Sequence, residues 1–191
     1  MQLSTTLSRI VIGAALAAGA QAALAQQQLV PAQSEVQFTA RQMGVPLEGQ
    51  FKKFSAQVAF DPAKLATSKI AFTVDTGSAT LGSRETDAEL PKPAWFNVPK
   101  FPQAQFESTA IKALGGGKFE VAGKLTIKGN AQNVVVPVAL TQSGPTTTAT
   151  GTLPIKRLAF KIGENEWADT SMVADDVTVK FKLALTGVGK L

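Results

Sequence analysis

An alternation of apolar and polar residues along most of the chain is the feature that most constrains its fold. Between Lys118 and Lys128, every second position is apolar or glycine and most of the others are polar or charged. Successive side chains of a β-strand point to opposite faces, so a period of two predicts strands with one buried and one solvated face, as in antiparallel sheets. Similar runs predict about eight strands, over residues 34–40, 54–60, 70–74, 103–113, 118–128, 134–140, 146–155 and 177–186.

The segments between these runs have the composition of turns. Residues 115–117 are three glycines, and residues 128–130 read Lys-Gly-Asn, which is typical of a tight hairpin. One helix is predicted over residues 83–90, because Ser83 can act as its N-cap and Pro91 ends it. All-β chains of this kind form barrels or sandwiches. We predict an eight-stranded antiparallel lipocalin-like barrel with one short helix.

The first 25 residues have the three parts of a secretory signal peptide. Arg9 precedes an apolar run over residues 10–24, and Ala23 and Ala25 form a small-residue cleavage site. About 15 apolar residues are too few to span a bilayer comfortably. We therefore predict a signal peptide over residues 1–25, cleavage after Ala25 and export to the periplasm. A short linker over residues 26–33 and one barrel domain over residues 34–187 are predicted to follow.

The absence of histidine and cysteine restricts the possible chemistry. The sequence contains neither residue, which excludes Ser-His and Cys-His catalytic pairs, imidazole or thiolate metal ligands and disulfides. Three acidic residues on the predicted helix could suggest an enzyme, but Asp87 and Glu89 are two positions apart and point in different directions. We therefore predict a non-catalytic protein without cofactor or metal. The chain has no basic cluster interleaved with aromatic residues, so nucleic-acid binding is not predicted.

The interior of the predicted barrel has two possible states. An eight-stranded barrel is just wide enough to be filled by its own side chains or to hold one small ligand. The apolar strand faces, on which we place no ionisable residue, would suit an apolar, chain-like ligand. The residues predicted to line the cavity are Phe38, Met43, Phe51, Phe54, Val58, Phe72, Trp95, Phe96, Phe106, Val121, Leu125 and Phe181.

The polar rim of such a cavity is predicted separately. Arg41, Gln42 and Arg84 are candidate contacts for a ligand head group. Trp95 and Phe96 lie between prolines after the helix, where they would form either a lid at the barrel mouth or a plug at its base.

A series of short motifs runs in order between residues 34 and 187. They are Ser34-x-Val36-x-Phe38, Gln42-Met43-Gly44, Gly49-x-Phe51, Phe60-Asp61-Pro62, Asp87-Ala88-Glu89-Leu90, Trp95-Phe96-Asn97-Val98, Lys100-Phe101-Pro102, Phe106-x-Ser108 and Gly123-x-Leu125-Thr126-Ile127-x-Gly129, with Arg157 and Phe160 near the end. In order and spacing they resemble the YceI family of exported, lipocalin-like, polyisoprenoid-binding proteins. The resemblance implies an antiparallel barrel that holds an elongated isoprenoid or fatty lipid, with no catalysis and no metal.

The chain departs from the family pattern at four positions. Gln42 and Glu89 stand where histidine is common, Thr86 where arginine is usual, and Lys161 where glycine is usual. The polar residues around the barrel mouth therefore differ from those of the family, whereas the apolar lining is kept.

These observations lead to two functional expectations. The first is binding, sequestration or transport of an isoprenoid or other long-chain amphiphilic lipid, polyprenyl or quinone-like, in the periplasm. Transient contact with a membrane or a membrane protein would accompany it. The alternative is a solid-core exported barrel that acts in protein interaction or stress protection without a lipid. The oligomeric state is open, and a dimer is one option.

Overall fold

One curled antiparallel sheet and one short α-helix make up the architecture. The computed structural model describes residues 27–191, so the predicted signal peptide lies outside the described residues. Within this range the elements are β1 (Gln28–Leu29), β2 (Glu35–Gln42), β3 (Val45–Phe51), β4 (Phe54–Ala59), β5 (Lys69–Asp75), β6 (Ala79–Thr80), α1 (Arg84–Glu89), β7 (Gln103–Gly115), β8 (Lys118–Ile127), β9 (Asn130–Ser143), β10 (Thr146–Lys156) and β11 (Asp176–Thr186). None of the helices in this range is long and apolar enough to cross a membrane.

The strand order shows how the sheet curls. Neighbouring strands follow the order β4-β5-β7-β8-β9-β10-β11-β2-β3-β6, and β1 pairs with β11. The side chain of Gln27 links this last pair to the far edge: its Nε2 donates to the carbonyl of Phe60 at 2.6 Å, and its Oε1 accepts from the amide of Phe60 at 2.9 Å. The edge strand β4 is thus connected through Gln27 and β1 to β11, so the sheet curls back on itself, consistent with a lipocalin-like barrel.

The all-β class and the single short helix are confirmed, but the count of eight strands is wrong. The sequence analysis missed β3, because Pro46 and Gly49 interrupt its apolar pattern. The strand predicted over residues 34–40 ends too early: β2 extends through Gln42, and the turn after it consists of Met43 and Gly44, with φ of 49° and 80°.

The two remaining unpredicted strands are very short. β1 and β6 contain two residues each, too few to show a period. Of the segment predicted as a linker, the described part joins the sheet through β1 and continues into a 3₁₀ turn over Pro31–Gln33.

A carboxylate fixes the helix onto the sheet. α1 has the predicted position, but the side chain of Ser83 makes no capping hydrogen bond. Asp87 instead accepts hydrogen bonds from the hydroxyl of Thr80 at 2.5 Å and from the amide of Leu81 at 2.6 Å. These bonds lower the pKa of Asp87. Asp87 therefore connects α1 to the strand that precedes it.

The helix and the loop behind it close one end of the sheet. Phe96 is 9% exposed and belongs to an apolar cluster at this end, and the half-buried Trp95 packs against it. The cluster consists of Leu90, Phe96, Ile127, Ile155, Phe160 and Ile162. Trp95 and Phe96 therefore pack into the apolar cluster, and their role as a lid or a plug stays a prediction.

Candidate ligand-binding cavity

The inward faces of the strands enclose a cavity of about 340 Å³. This volume lies in the range of small-molecule sites in proteins. Its walls are almost entirely apolar, with Val121 and Leu125 contributed by β8 and Phe181 by β11. The barrel interior is therefore a cavity rather than a solidly packed core.

Three phenylalanines of the wall lie over glycines of neighbouring strands. In each case a Cβ on the glycine would lie 2.3 or 2.5 Å from the phenylalanine ring, closer than atoms can approach. The pairs are Gly49 with Phe38, Gly123 with Phe106 and Gly151 with Phe181. Each glycine lets a ring lie against the strand backbone, where a side chain would push it away. The glycines thus help to keep the cavity open.

We expect Gly49→Ala to move the ring of Phe38 and shrink the cavity. The three atoms nearest to the added Cβ all belong to that ring, so the ring must yield. The cost of such overpacking is about 1–3 kcal/mol in free energy of unfolding, measurable from the urea midpoint. Gly189→Ala is the control, because its Cβ would have only Pro62 in ordinary contact at 3.9 Å. Equal midpoints for both variants would contradict this account of the wall.

Polar groups gather at one end of the cavity. β2 ends at Gln42, which pairs with Val173, and β10 ends just before Arg157. Together with Thr86, Glu89, Trp95 and Trp167 on the adjoining segments, Gln42 and Arg157 line this end, which we call the polar end. The opposite end is formed by Phe60, Leu140, Thr147, Leu185 and Val188. The hydroxyl of Thr147 there accepts a hydrogen bond from Gln142 at 3.2 Å.

Arg157 organises the backbone of the polar end. It is 2% exposed, and all five of its N–H groups donate to backbone carbonyls. The acceptors are Ile162, Gly163, Trp167, Val173 and Ala174, at distances of 2.6–3.0 Å. Burial lowers the pKa of Arg157, and the nearby carboxylate of Asp175 opposes this effect. Arg157 therefore holds together the loops that surround it.

Lys128 makes a second buried link in the same region. Its Nζ donates to the carbonyls of Pro93 and Lys161 and to a carboxylate oxygen of Glu164, each at 2.7 Å. The hydrogen bond from Lys128 lowers the pKa of the Glu164 carboxylate. No ionisable residue of a described strand lines the cavity, as expected, but Arg157, which directly follows β10, does line it. Lys128, which directly follows β8, is buried among the loops.

The structure places ten of the twelve predicted lining residues on the cavity wall. The prediction is wrong for Met43, which is 70% exposed on the tip of the β2–β3 turn. It is also wrong for Phe54, which starts β4 at the sheet corner and packs on Phe72 with ring centroids 5.9 Å apart. The residues on the wall are Phe38, Phe51, Val58, Phe72, Trp95, Phe96, Phe106, Val121, Leu125 and Phe181. Ligand contact by each of them stays a prediction.

Of the predicted head-group contacts, the structure brings one to the cavity. Gln42 lines the polar end, whereas Arg41 and Arg84 are exposed and lie off the wall. Arg41 points its Nη1 to the carbonyl of Gly44 at 3.3 Å. The sequence analysis gave no role at this end to Arg157 or Trp167. The sequence signal for Arg157 was its place in the series of motifs between residues 34 and 187. Trp167 belongs to none of those motifs, so no signal pointed to it.

Comparison with known proteins agrees with this architecture. A family model described as "YceI-like domain" matches residues 27–185. A UPF0312 protein of Ectopseudomonas mendocina is 33% identical over 138 residues, covering 70% of this chain and 71% of the relative.

Solved structures show the same fold. The crystal structure of Burkholderia cenocepacia BcnA is 50% identical, with a TM-score of 0.79 over 82% of this chain and 98% of that one. A Saccharophagus degradans domain described as polyisoprenoid binding has 13% identity and a TM-score of 0.69 over 84% of this chain and 98% of that one. From its matched motifs, its curled sheet and these relatives, the chain belongs to the YceI-like domain family.

Proposed function

We propose that this protein binds an isoprenoid or another long-chain amphiphilic lipid, polyprenyl or quinone-like, inside its cavity. The observation that carries the proposal is a cavity of about 340 Å³ with apolar walls and polar groups gathered at one end. Such a cavity matches a molecule with a long apolar chain and one polar head. The name of the Saccharophagus degradans relative makes isoprenoids the first ligands to test.

The proposed role is binding without catalysis. The charged groups of the polar end are already engaged, because Arg157 uses all its donors on carbonyls and Glu89 pairs with Lys92. A general acid or base must reach the proton that it transfers. These groups are better placed to hold loops in position than to transfer protons.

The proposed role includes exchange of the lipid with a membrane. Transfer of each CH₂ group from water into an apolar site is favourable by about 0.8 kcal/mol in free energy. A bilayer is as apolar as the cavity, so most of this free energy cancels when the lipid moves between them. The net affinity is then modest and exchange is easy, as suits a carrier that contacts a membrane or membrane protein transiently.

A series of isoprenoid alcohols of increasing chain length tests the proposal. Each is titrated into the protein in competition with a dansyl-labelled fatty acid. We expect the affinity of the protein for these alcohols in aqueous solution to rise with each isoprene unit. The affinity should level off once the chain fills the cavity. An affinity independent of chain length would favour the alternative, an exported interaction or stress-protection protein without a lipid.

The periplasmic location is a proposal that rests on the N-terminal sequence. We expect Ala25→Leu to block or displace cleavage, because the cleavage site requires small residues. Mass spectrometry of the expressed proteins would show wild type beginning at Gln26 and the variant retaining more N-terminal residues. Ala22→Ser, outside the site, is the control. An intact Met1 in the wild-type periplasmic fraction would contradict cleavage.

A further inference from the structure

A group of exposed apolar side chains lies at the turn between β2 and β3. Met43 is 70% exposed and Val45 is 60% exposed, and Met172, on the loop before β11, is 41% exposed. The amide of Met43 donates to the carbonyl of Met172 at 2.8 Å, so the turn and the loop lie side by side. We call these three residues the apolar tip. Large apolar side chains that are exposed together mark a surface that contacts a partner.

The backbone fixes the position of the apolar tip. Met43 and Gly44 form a two-residue hairpin turn with φ of 49° and 80°, a conformation in which asparagine, aspartate or glycine is usual. Beside the turn, the amide of Ala174 donates to the carbonyl of Arg41 at 2.9 Å. An ordered turn therefore exposes Met43 at a position that usually carries a polar residue or glycine.

The apolar tip adjoins the cavity. Val45 and Leu47 lie on the same face of β3, and Leu47 lines the cavity wall. The two methionines of the tip are the sequence neighbours of Gln42 and Val173, which line the polar end. The apolar surface therefore continues along β3 from the wall of the cavity to its rim.

The shape of the apolar tip favours a lipid bilayer over a protein as its partner. A stable protein interface buries about 800 Å² on each partner, which is more than three side chains at a hairpin turn supply. A bilayer has no fixed shape to match. Binding to it grows with the apolar area that is inserted and with the attraction between basic residues and anionic lipids.

The charge of the protein favours a bilayer that contains anionic lipids. Lysine and arginine outnumber aspartate and glutamate by 19 to 14 in the chain. The exposed Arg41 points its Nη1 to the carbonyl of Gly44 at 3.3 Å, which places a cation at the turn. The acid on the loop of Met172 is Asp169, whose carboxylate already accepts hydrogen bonds from the amide and hydroxyl of Ser171. Arg41 is therefore placed to meet the phosphate of an anionic lipid.

We propose that the apolar tip inserts into the surface of an anionic bilayer and brings the polar end of the cavity against the membrane. The inference rests on the proposed function and deepens it, because it names the surface at which the lipid is exchanged. A lipid that moves there between bilayer and cavity exposes little of its chain to water.

Sedimentation with vesicles of equal parts phosphatidylcholine and phosphatidylglycerol tests the apolar tip. We expect Met43→Gln and Val45→Ser each to weaken vesicle binding about 10-fold, because each removes an apolar side chain that the bilayer would bury. Val135→Ser is the matched control, since Val135 is 56% exposed on the outer face of β9, and it should bind like wild type. All proteins are purified in the same form, with the N-terminus read by mass spectrometry, so that differences between them report the substitutions.

Arg41→Gln tests the contribution of charge. We expect it to weaken binding to the same vesicles about 5-fold, which corresponds to one basic residue near an anionic surface. It should leave binding to vesicles of phosphatidylcholine alone unchanged. Lys124→Gln, on the exposed outer face of β8, is the control and should retain wild-type binding to both kinds of vesicle.

Oxidation tests the apolar tip without a substitution. Met1, Met43 and Met172 are the three methionines of the chain, so the proposed cleavage leaves only the two in the tip. Peroxide converts exposed methionine to the polar sulfoxide, and methionine sulfoxide reductases restore it. We expect oxidised wild type to bind the vesicles more weakly and the reductases to restore binding.

The outcomes separate this inference from the proposed function. Failure of wild type to bind the vesicles, or unchanged binding by Met43→Gln and Val45→Ser, would overturn the role of the apolar tip. Self-association of wild type that these two substitutions abolish, without vesicle binding, would assign the tip to a second copy of the chain instead.

Ligand binding is measured separately, by competition of geranylgeraniol with the dansyl-labelled fatty acid in the absence of vesicles. The three residues of the apolar tip lie off the cavity wall, so we expect their variants to bind this alcohol as tightly as wild type. Failure of wild type to bind it would overturn the proposed function, whatever the vesicles show.

Discussion

Arg157→Met is expected to cost about 3–5 kcal/mol in free energy of unfolding, as does the loss of one partner from a buried charged network. Methionine fills a similar volume but donates no hydrogen bonds. The substitution therefore leaves five backbone carbonyls without the hydrogen bonds that Arg157 donates to them. Buried acceptors left without partners carry their full desolvation cost. The measurement is equilibrium urea denaturation, and the midpoint should fall sharply.

The adjacent residue provides a matched control for Arg157. Lys156 is 59% exposed and pairs with Asp176 at 2.7 Å on the outer surface. Exposed ion pairs contribute about 0–1 kcal/mol, so Lys156→Met should change the midpoint little. If Arg157→Met lowers the free energy of unfolding by less than about 1 kcal/mol, water can supply the hydrogen bonds that the guanidinium donates. That result would contradict the role given to Arg157.

Val121→Trp and Leu125→Trp are expected to abolish lipid uptake while the barrel stays folded. Both residues belong to β8 and line the cavity. In a solid core, added bulk costs about 1–3 kcal/mol or more. In a cavity, the new indole occupies the space of the ligand, so stability stays near that of wild type. Uptake is read by mass spectrometry, and stability by the denaturant midpoint.

The outer face of the same strand supplies the control for these variants. Lys124 lies between them in sequence and is exposed, so Lys124→Trp adds the same ring outside the barrel. It should keep both uptake and stability. Variants at Val121 and Leu125 that unfold readily, together with a wild type that takes up no lipid, would favour a packed barrel.

The strand faces were predictable because a period of two in hydrophobicity maps directly onto the two faces of a sheet. This alternation correctly placed Val121, Leu125 and Phe181 on the wall of the cavity. The prediction failed where the period is broken. Pro46 and Gly49 hid β3, so Met43 was assigned to the cavity wall and not to the tip of the β2–β3 turn.

The interior of the polar end could not be predicted from local patterns. Arg157 and Lys128 are buried because their acceptors are mainly backbone carbonyls of loops, and backbone carbonyls leave no mark in a sequence. Trp95 was expected near the barrel end from the prolines around it. Its packing on Trp167 emerges only once its neighbours are in place.

The content of the cavity in cells is the most direct measurement of the central claim. The 191-residue protein is expressed in cells, purified and extracted with organic solvent, and the extract is examined by mass spectrometry. We predict about one long-chain isoprenoid or related amphiphile per chain in wild type, and its loss in Val121→Trp. Repeated lipid-free preparations of wild type that also take up no added isoprenoid would contradict the account.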